Sequence, residues 1–245
     1  MVRLEGLVKT RSQSESVFEL RVPSFEVGPG RMVAIIGESG CGKSTLLDIL
    51  ALVMEPTSVE RFQIVTDAGL PPLDAAALWE RNDEGALAAL RRDNFGYVLQ
   101  TGGLLPFLSV RQNILLPGSL SGVTVPSERI ETLARGMGVS GCLDRMPASL
   151  SIGQRQRVAI LRALAHRPRL VLADEPTAAV DKGRARAIMD DMHRLAQEES
   201  VAVVVVTHDV DLVMDRADAA YTFDLEYVSD SVTRSVCRPA TAEME

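Results

Sequence analysis

Along the first thirty residues apolar and polar positions alternate, in VRLEGLV (2–8) and again in VFELRV (17–22). A period of two with one solvated face predicts antiparallel strands. Pro29-Gly30 then marks a turn. Beyond it the pattern changes to short, nearly continuous apolar runs: MVAIIG (32–37), NFGYVLQ (94–100), RLVLADEP (169–176) and VAVVVVTHD (201–209). Such runs predict strands buried on both faces. Helical stretches lie between them. STLLDILALV (44–53) is an apolar helix, and DAAALWERNDEGALAALRRD (74–93) is acidic, Ala-rich and helical. Between 101 and 122, Gly and Pro alternate with Leu-rich patches. SERIETLARGMG (127–138) and SGCLDRM (140–146) read as short helices, the second closed by Pro147. Gln154–Arg167 predicts a helix ended by Pro168, and Lys182–Glu199 an amphipathic one. Strand and helix in alternation imply an α/β fold with a mainly parallel sheet covered on both faces. The segment after about Tyr227 is polar and weakly patterned, and is expected to be loosely held.

The chain has 245 residues, enough for one α/β domain or one domain with a small subdomain, and its 46% apolar content supports a real core. A net charge of −7 disfavours a groove for nucleic acid. No basic run suggests attachment to an anionic lipid surface. Cys41, Cys142 and Cys237 lack metal-ligand spacing and are odd in number, which fits a reduced, cytosolic compartment. Met1 is followed closely by Arg3 and Glu5, unlike a signal peptide. VAVVVV (201–206) is far too short to span a bilayer, so any membrane role is expected to come through a partner.

GESGCGKST (37–45) changes the picture most. It fits G-x-x-x-x-G-K-[ST], the phosphate-binding P-loop, and lies between an apolar strand and an apolar helix. Gly37, Gly40 and Gly42 allow the tight turn and the close approach of backbone to phosphate. The backbone N–H groups from Glu38 and Ser39 through Cys41 to Thr45 form an anion nest at the helix mouth. Lys43 can reach the β- and γ-phosphates, and the Ser44 hydroxyl suits Mg²⁺. At the end of RLVLADEP, Asp174 is placed to hold Mg²⁺ through its hydration shell. Glu175 follows where an attacking water would lose its proton. Adjacent carboxylates at a strand end are costly to leave without a cation. Ligands of open parallel sheets bind beyond the carboxyl ends of the strands, so His208 can meet a γ-phosphate and Gln100 can sense Mg²⁺ and water.

LSIGQRQRVAILRAL (150–164) resembles the signature and following helix of the ATP-binding-cassette (ABC) ATPases. The other motifs then fall in that family's order: GESGCGKST, Gln100 of the Q-loop, LSIGQ, LADEP, AAVD (178–181) as D-loop and His208 of the switch region. The match runs from about residue 4 to 225. The resemblance implies a P-loop NTPase core with a mainly parallel sheet, an antiparallel β subdomain and a helical subdomain at about 101–165, the domain filling 1–228 and a polar tail 229–245. It implies ATP as substrate, Mg²⁺ as cofactor, and a head-to-tail homodimer. Each ATP would lie between one subunit's P-loop and the other's Ser151, Gly153 and Gln154. Lys43, Glu175, His208 and Gln100 would be catalytic, with Ser44, Gln100 and Asp174 on the metal. ATP closes such a dimer because it bridges the closed state and not the open one.

Three departures stand out. Ile152 replaces the usual Gly of the signature, which predicts slower or weaker closure. No aromatic occupies the usual adenine-stacking place upstream of the P-loop. Arg11 can stack its guanidinium there, with Phe18 an alternative that reads more as core. Val180 stands where the D-loop usually has Leu. RRDNFGYVLQTGGLLPFLSVRQNILLP (91–117) resembles the macrolide-exporter, lipoprotein-releasing and cell-division subgroup. In that subgroup the membrane subunit has few helices and a large periplasmic domain. Leu104, Leu105, Phe107 and Leu108 either line a groove for that subunit's coupling helix or form the core of the helical subdomain. The expected location is cytoplasmic, on the inner membrane through the partner. The alternative function is a soluble ABC ATPase with no membrane partner, such as an iron–sulfur assembly type. A nucleotide-binding module without turnover would require loss of Lys43 or Glu175, and both are present.

Overall fold

The computed structural model describes residues 2–13, 16–66, 69–178 and 180–240. Strands β1 (Val2–Gln13) and β2 (Ser16–Val27) form the antiparallel hairpin that the period-two pattern predicts. Their inward side chains, among them Leu4, Leu7, Leu20, Val22 and Phe25, are fully buried. Strand β3 (Met32–Ile36) leads through the P-loop into helix α1 (Lys43–Leu50). Short strands β4 (Arg61–Ile64) and β5 (Leu73–Asp74) extend the antiparallel part beyond β1. Helices α2 (Ala75–Glu80) and α3 (Glu84–Asn94) precede β6 (Phe95–Val98). The helical region holds α4 (Val110–Ser121), α5 (Ser127–Gly136) and α6 (Ile152–Leu164). The chain then runs through β7 (Leu170–Asp174), α7 (Lys182–Glu199), β8 (Ala202–Thr207), α8 (Val210–Val213), β9 (Ala219–Ser229) and β10 (Val232–Pro239).

All ten strands form one sheet in the order β5-β4-β1-β2-β10-β9-β3-β8-β7-β6. The β3-β8-β7-β6 side is parallel throughout, and β3 also pairs in parallel with β9. Its continuous apolar runs are explained by the pleat. Met32, Ala34 and Ile36 enter a core shared with α4, α6 and α7, while Val33 and Ile35 enter the opposite core beside α1. Val203 and Val205 likewise face one core, and Ala202, Val204 and Val206 the other. A strand covered on both sides has no polar face to show.

Local chemistry moves several boundaries. The helical stretch at 74–93 is two helices: Asn82 has φ 52°, and the Asp83 carboxylate caps α3 by accepting from the Ala86 N–H at 3.0 Å. An Asn in the left-handed region followed by an Asp cap is a stop and a restart. α1 ends at Leu50 rather than Val53, with Leu52 at φ 57°. α6 starts two residues early, because Ser151 and Gln154 close a reciprocal capping box. Ser109 and Gln112 do the same for α4. No helix of the described residues is long and apolar enough to cross a membrane.

The expectation of a loosely held tail is corrected. Residues 232–239 form β10, which lies inside the sheet, parallel to β2 and antiparallel to β9. Ser235 and Cys237 are fully buried. Residues 241–245 lie outside the described residues. The Ser235 hydroxyl donates to the carbonyl of Cys41, inside the P-loop, at 2.6 Å. Ser235→Ala would leave that buried acceptor unsatisfied and is expected to cost about 1–3 kcal/mol. Ending the chain at Ser229 would remove the strand that joins β2 to β9 and is expected to abolish cooperative unfolding. Urea denaturation followed by circular dichroism checks both; a Ser235→Ala midpoint equal to that of the parent would remove the strand's hold on the P-loop.

Candidate functional site

The end of β3 opens into a turn that only a residue without Cβ can complete. Gly42, the N-cap of α1, has φ 108°, and a Cβ there would come within 3.2 Å of Leu20 and 3.4 Å of the Phe18 ring. The helix mouth is thereby pressed against β2. Lys43 is buried, and its ammonium donates to the carbonyls of Gly37 and Glu38, each at 2.7 Å. Two of its three N–H groups are thus used within the loop. Ser44 is exposed at the helix start and Thr45 is buried beside it.

Asp174 ends β7 and is half-buried. Burial pushes its carboxyl above the ordinary range, the charges of Glu175 and Asp48 push it further, and Lys43 opposes them. Glu175, the next residue, has φ 45° and donates its N–H to the Val206 carbonyl at 3.0 Å. A non-Gly residue held in the left-handed region is a strained backbone of the sort that clusters at functional sites. Its carboxylate meets Nδ1 of His208 at 2.9 and 3.0 Å from its two oxygens. His208 follows β8, the strand that pairs in parallel with β7, so adjacent strand ends bring the pair together.

These elements enclose a cleft of ≈ 1060 Å³. Its lining includes Arg11, Glu38, Ser39, Gly40, Gly42, Lys43, Ser44, Thr45, Gln100, Asp174, Glu175 and His208. Twelve of the residues singled out in the sequence therefore share one space. Gly37 and Cys41 instead line a smaller cavity of ≈ 480 Å³ on the other side of the loop, which also reaches His208. The Cys41 thiol is buried, and burial pushes that of Cys237 up to about 12, so both are inert packing groups. Ser151, Gly153 and Gln154 are not in the cleft's lining. They form the N-terminus of α6, with Ser151 exposed. Ala179 of the expected D-loop lies outside the described residues.

Two participants, Asp48 and Ser235, were not read from the sequence, and a third, Phe18, was read there as core with base stacking as its alternative. Phe18 lines the cleft as well as packing on the core, directly opposite Arg11 in the β1–β2 ladder. Asp48 is half-buried one turn after Ser44 on α1, and burial holds its carboxyl above the usual range, with Arg11 opposing. The i,i+4 spacing from Ser44 was the available signal. Ser235 supports the loop from β10, and the alternation of VTRSVC (232–237) would have marked that strand.

The family model for ABC transporters matches residues 20–178. The chain belongs to that family. Curated relatives of this ABC ATPase cassette agree. The lipoprotein-releasing system ATP-binding protein LolD 1 of Rhodospirillum rubrum is 38% identical over 88% of the chain and 92% of its own length. The macrolide export ATP-binding/permease protein MacB of Chromobacterium violaceum is 37% identical over 90% of the chain but 33% of its own. The dimeric structure of MJ0796, a protein of Methanocaldococcus jannaschii, superposes with a TM-score of 0.76 at 31% identity, covering 91% of this chain and 94% of that one. A second MJ0796 structure, a post-hydrolysis state bound to ADP and Pi, gives the same TM-score.

Asp174 supplies a test in the cassette itself. Its raised value means that the protonated form favours the fold. That contribution is complete below the ordinary carboxylate range and is lost as pH rises through the raised value. Asp174→Asn is therefore expected to raise the unfolding temperature of the nucleotide-free protein at pH 7. The gain should shrink as pH falls into the carboxylate range. Differential scanning calorimetry across that window checks it, and a lower unfolding temperature at pH 7 would contradict it.

Proposed function

We propose that this cassette hydrolyses ATP with Mg²⁺ as a head-to-tail homodimer and drives an integral membrane partner. The observation that carries the reading is the cleft, in which the P-loop, Gln100, Asp174 and the Glu175–His208 pair converge while the signature segment stays outside. A second copy is needed to bring Ser151, Gly153 and Gln154 to the triphosphate, and the dimeric MJ0796 structures support that assembly.

On this reading Lys43 draws on the β- and γ-phosphates, and the loop N–H groups from Glu38 to Thr45 receive phosphate oxygens. Phe18 and Arg11 offer the base an aromatic face and a guanidinium plane. The donor set fits a magnesium ion. No cluster of three or more His, Cys, Asp or Glu forms a metal site by itself among the described residues, and Mg²⁺ is usually held by one or two carboxylates together with substrate phosphates. Ser44, Gln100 and Asp174 would hold it, and the Asp174 carboxyl, raised by burial and by the charges of Glu175 and Asp48, is one that a cation would stabilise in its ionised form. An ion held there would supply neutralisation of phosphate charge. Glu175 takes the proton of the attacking water. His208, whose Nδ1 engages that carboxylate, keeps it aimed and leaves Nε2 as its free ring nitrogen for the γ-phosphate side.

The membrane partner is expected at the 104–109 loop. Leu104 packs on the core, but Phe107 is 72% exposed. The loop is pinned from behind by buried Asn113. Its Oδ1 accepts from the Leu105 N–H at 2.8 Å, and its Nδ2 donates to the carbonyls of Leu105, Leu108 and Ser109. A large apolar side chain held out by a rigid loop suits a coupling helix. The names of the lipoprotein-releasing and macrolide-export relatives favour a membrane partner, and the subgroup that residues 91–117 resemble implies one with few transmembrane helices and a cytoplasmic cassette on the inner membrane.

Glu175→Gln is expected to slow hydrolysis by roughly 10²–10⁴-fold while favouring an ATP-bound dimer. Phosphate release and size-exclusion chromatography with ATP and Mg²⁺ check this, and Lys43→Ala, which should lose tight ATP binding, is the control. Normal turnover by Glu175→Gln would take that residue out of catalysis. Tagged Glu175→Gln protein, used to recover partners from detergent-solubilised native membranes with ATP, is expected to bring down a membrane protein. Recovery of soluble proteins alone would favour a cassette without one. Phe18→Ala is expected to weaken ATP affinity by roughly tenfold, about one stacking contact.

A further inference from the structure

The loop that follows Gln100 is fastened to α6 by a single guanidinium. Arg162 donates through Nη1 to the Gly103 carbonyl at 2.6 Å and through Nη2 to the Gly102 carbonyl at 2.9 Å. Both glycines have positive φ, 74° and 56°, and together they present two carbonyls to one fork. Gly102 also lies on the helix itself: a Cβ there would be 3.6 Å from Gln156 and 3.8 Å from Ala159. The Gln156 amide nitrogen is buried with no hydrogen-bond partner among the described residues.

The choice of arginine is expensive here. Burial pushes the Arg162 guanidinium below its ordinary value, and no nearby carboxylate offsets this among the described residues. A half-buried cation balanced only by carbonyl dipoles gives little net stability, and an apolar side chain would pack α6 as well. What the planar fork adds is orientation, because two parallel bonds fix the loop backbone in direction as well as in place. Gln100 is two residues before Gly102 and lines the cleft, while α6 begins at the Ser151 cap.

We infer that Arg162 is a positioning residue for Gln100, its fork seating the 102–103 backbone on α6 so that the reach of Gln100 and the placement of the signature segment are set together. This rests on the ATPase reading above. The loop and the helix then move as one piece, and the unpartnered Gln156 amide beneath them is a donor that a second seating of the loop can satisfy.

A double-mutant cycle on the full chain tests it, with wild type, Arg162→Lys, Gln100→Ala and the double variant. For each, kcat and KM for ATP, nucleotide affinity and the unfolding midpoint are measured. Lysine keeps the charge but cannot hold two carbonyls in a fork. Arg162→Lys is expected to lower kcat about tenfold with KM changed less than about twofold, and to lower it no further in the Gln100→Ala background. A purely structural arginine would lower the midpoint and give losses that add in the double variant, and that result overturns the inference. An unchanged kcat in Arg162→Lys overturns it as well. If Arg162→Lys unfolds below the assay temperature, Arg162→Gln takes its place in the cycle. A wild-type chain without Mg²⁺-dependent turnover would overturn the ATPase reading and this inference together, whereas additive losses in an active enzyme overturn this inference alone.

Discussion

The cleft is organised around crowded negative charge. Asp174 ends a strand of the parallel sheet, half-buried, and beyond its burial it feels the negative charges of Glu175 beside it and of Asp48 on α1. Lys43 is set against Asp174 and Arg11 against Asp48, and the loop already occupies Lys43 with two carbonyl bonds. Burial first, and the two neighbouring carboxylates after it, hold the Asp174 carboxyl above its ordinary range. A polyphosphate alone would worsen the imbalance; a polyphosphate carrying a divalent cation relieves it. On the ATPase reading, a nucleotide that arrives with a divalent cation would suit this cleft better than one without.

Holding that charge in place falls to distant parts of the chain. Gly42 is pressed on Leu20 and Phe18 of β2, and the Cys41 carbonyl is bound by Ser235, 194 positions away on β10. β10 itself lies between β2 and β9 and ties the antiparallel part of the sheet to the parallel part. The loop between β3 and α1 is therefore clamped from the two ends of the sequence. A phosphate cradle needs its N–H groups aimed before the ligand arrives, and rigid strands on both sides provide that.

What could be read from the sequence divides along the same line. The buried strands were legible because a run such as VAVVVV has only one stable place, inside a sheet covered on both faces. The residues that gather at the cleft were legible because each is fixed by local spacing: the P-loop by its glycines, Asp174 and Glu175 by the strand that ends in them. Contacts set by non-local pairing were not. Phe18 looked like core because nothing in VFELRV tells which end of the strand will border a cleft; its place opposite Arg11 comes from the hairpin register. Asp48 was hidden in an apolar helix, although its spacing from Ser44 pointed to the same side. The 232–237 strand was passed over because its alternation is short and carries Thr, Arg and Ser, and its burial depends on β2 from the other end of the chain. Chain breaks within 74–93 were missed for a local reason: Asn82-Asp83 was read as helix interior, where its side-chain chemistry favours a stop and a new cap.

The signature segment shows how a departure from a motif can be weighed by geometry. Ile152 stands where Gly is usual, yet its φ is not positive, and the Ser151–Gln154 capping box closes around it. The backbone at the start of α6 therefore makes no demand for Gly at that position. The Ser151 hydroxyl accepts from the Gln154 N–H and still has its own proton to donate. What Ile152 changes is the surface. It is 49% exposed, a branched apolar side chain beside the two groups that a second subunit would present to a phosphate. Its consequence belongs to the approach of that second subunit, where steric fit and desolvation are decided, and not to the folding of the cassette that carries it.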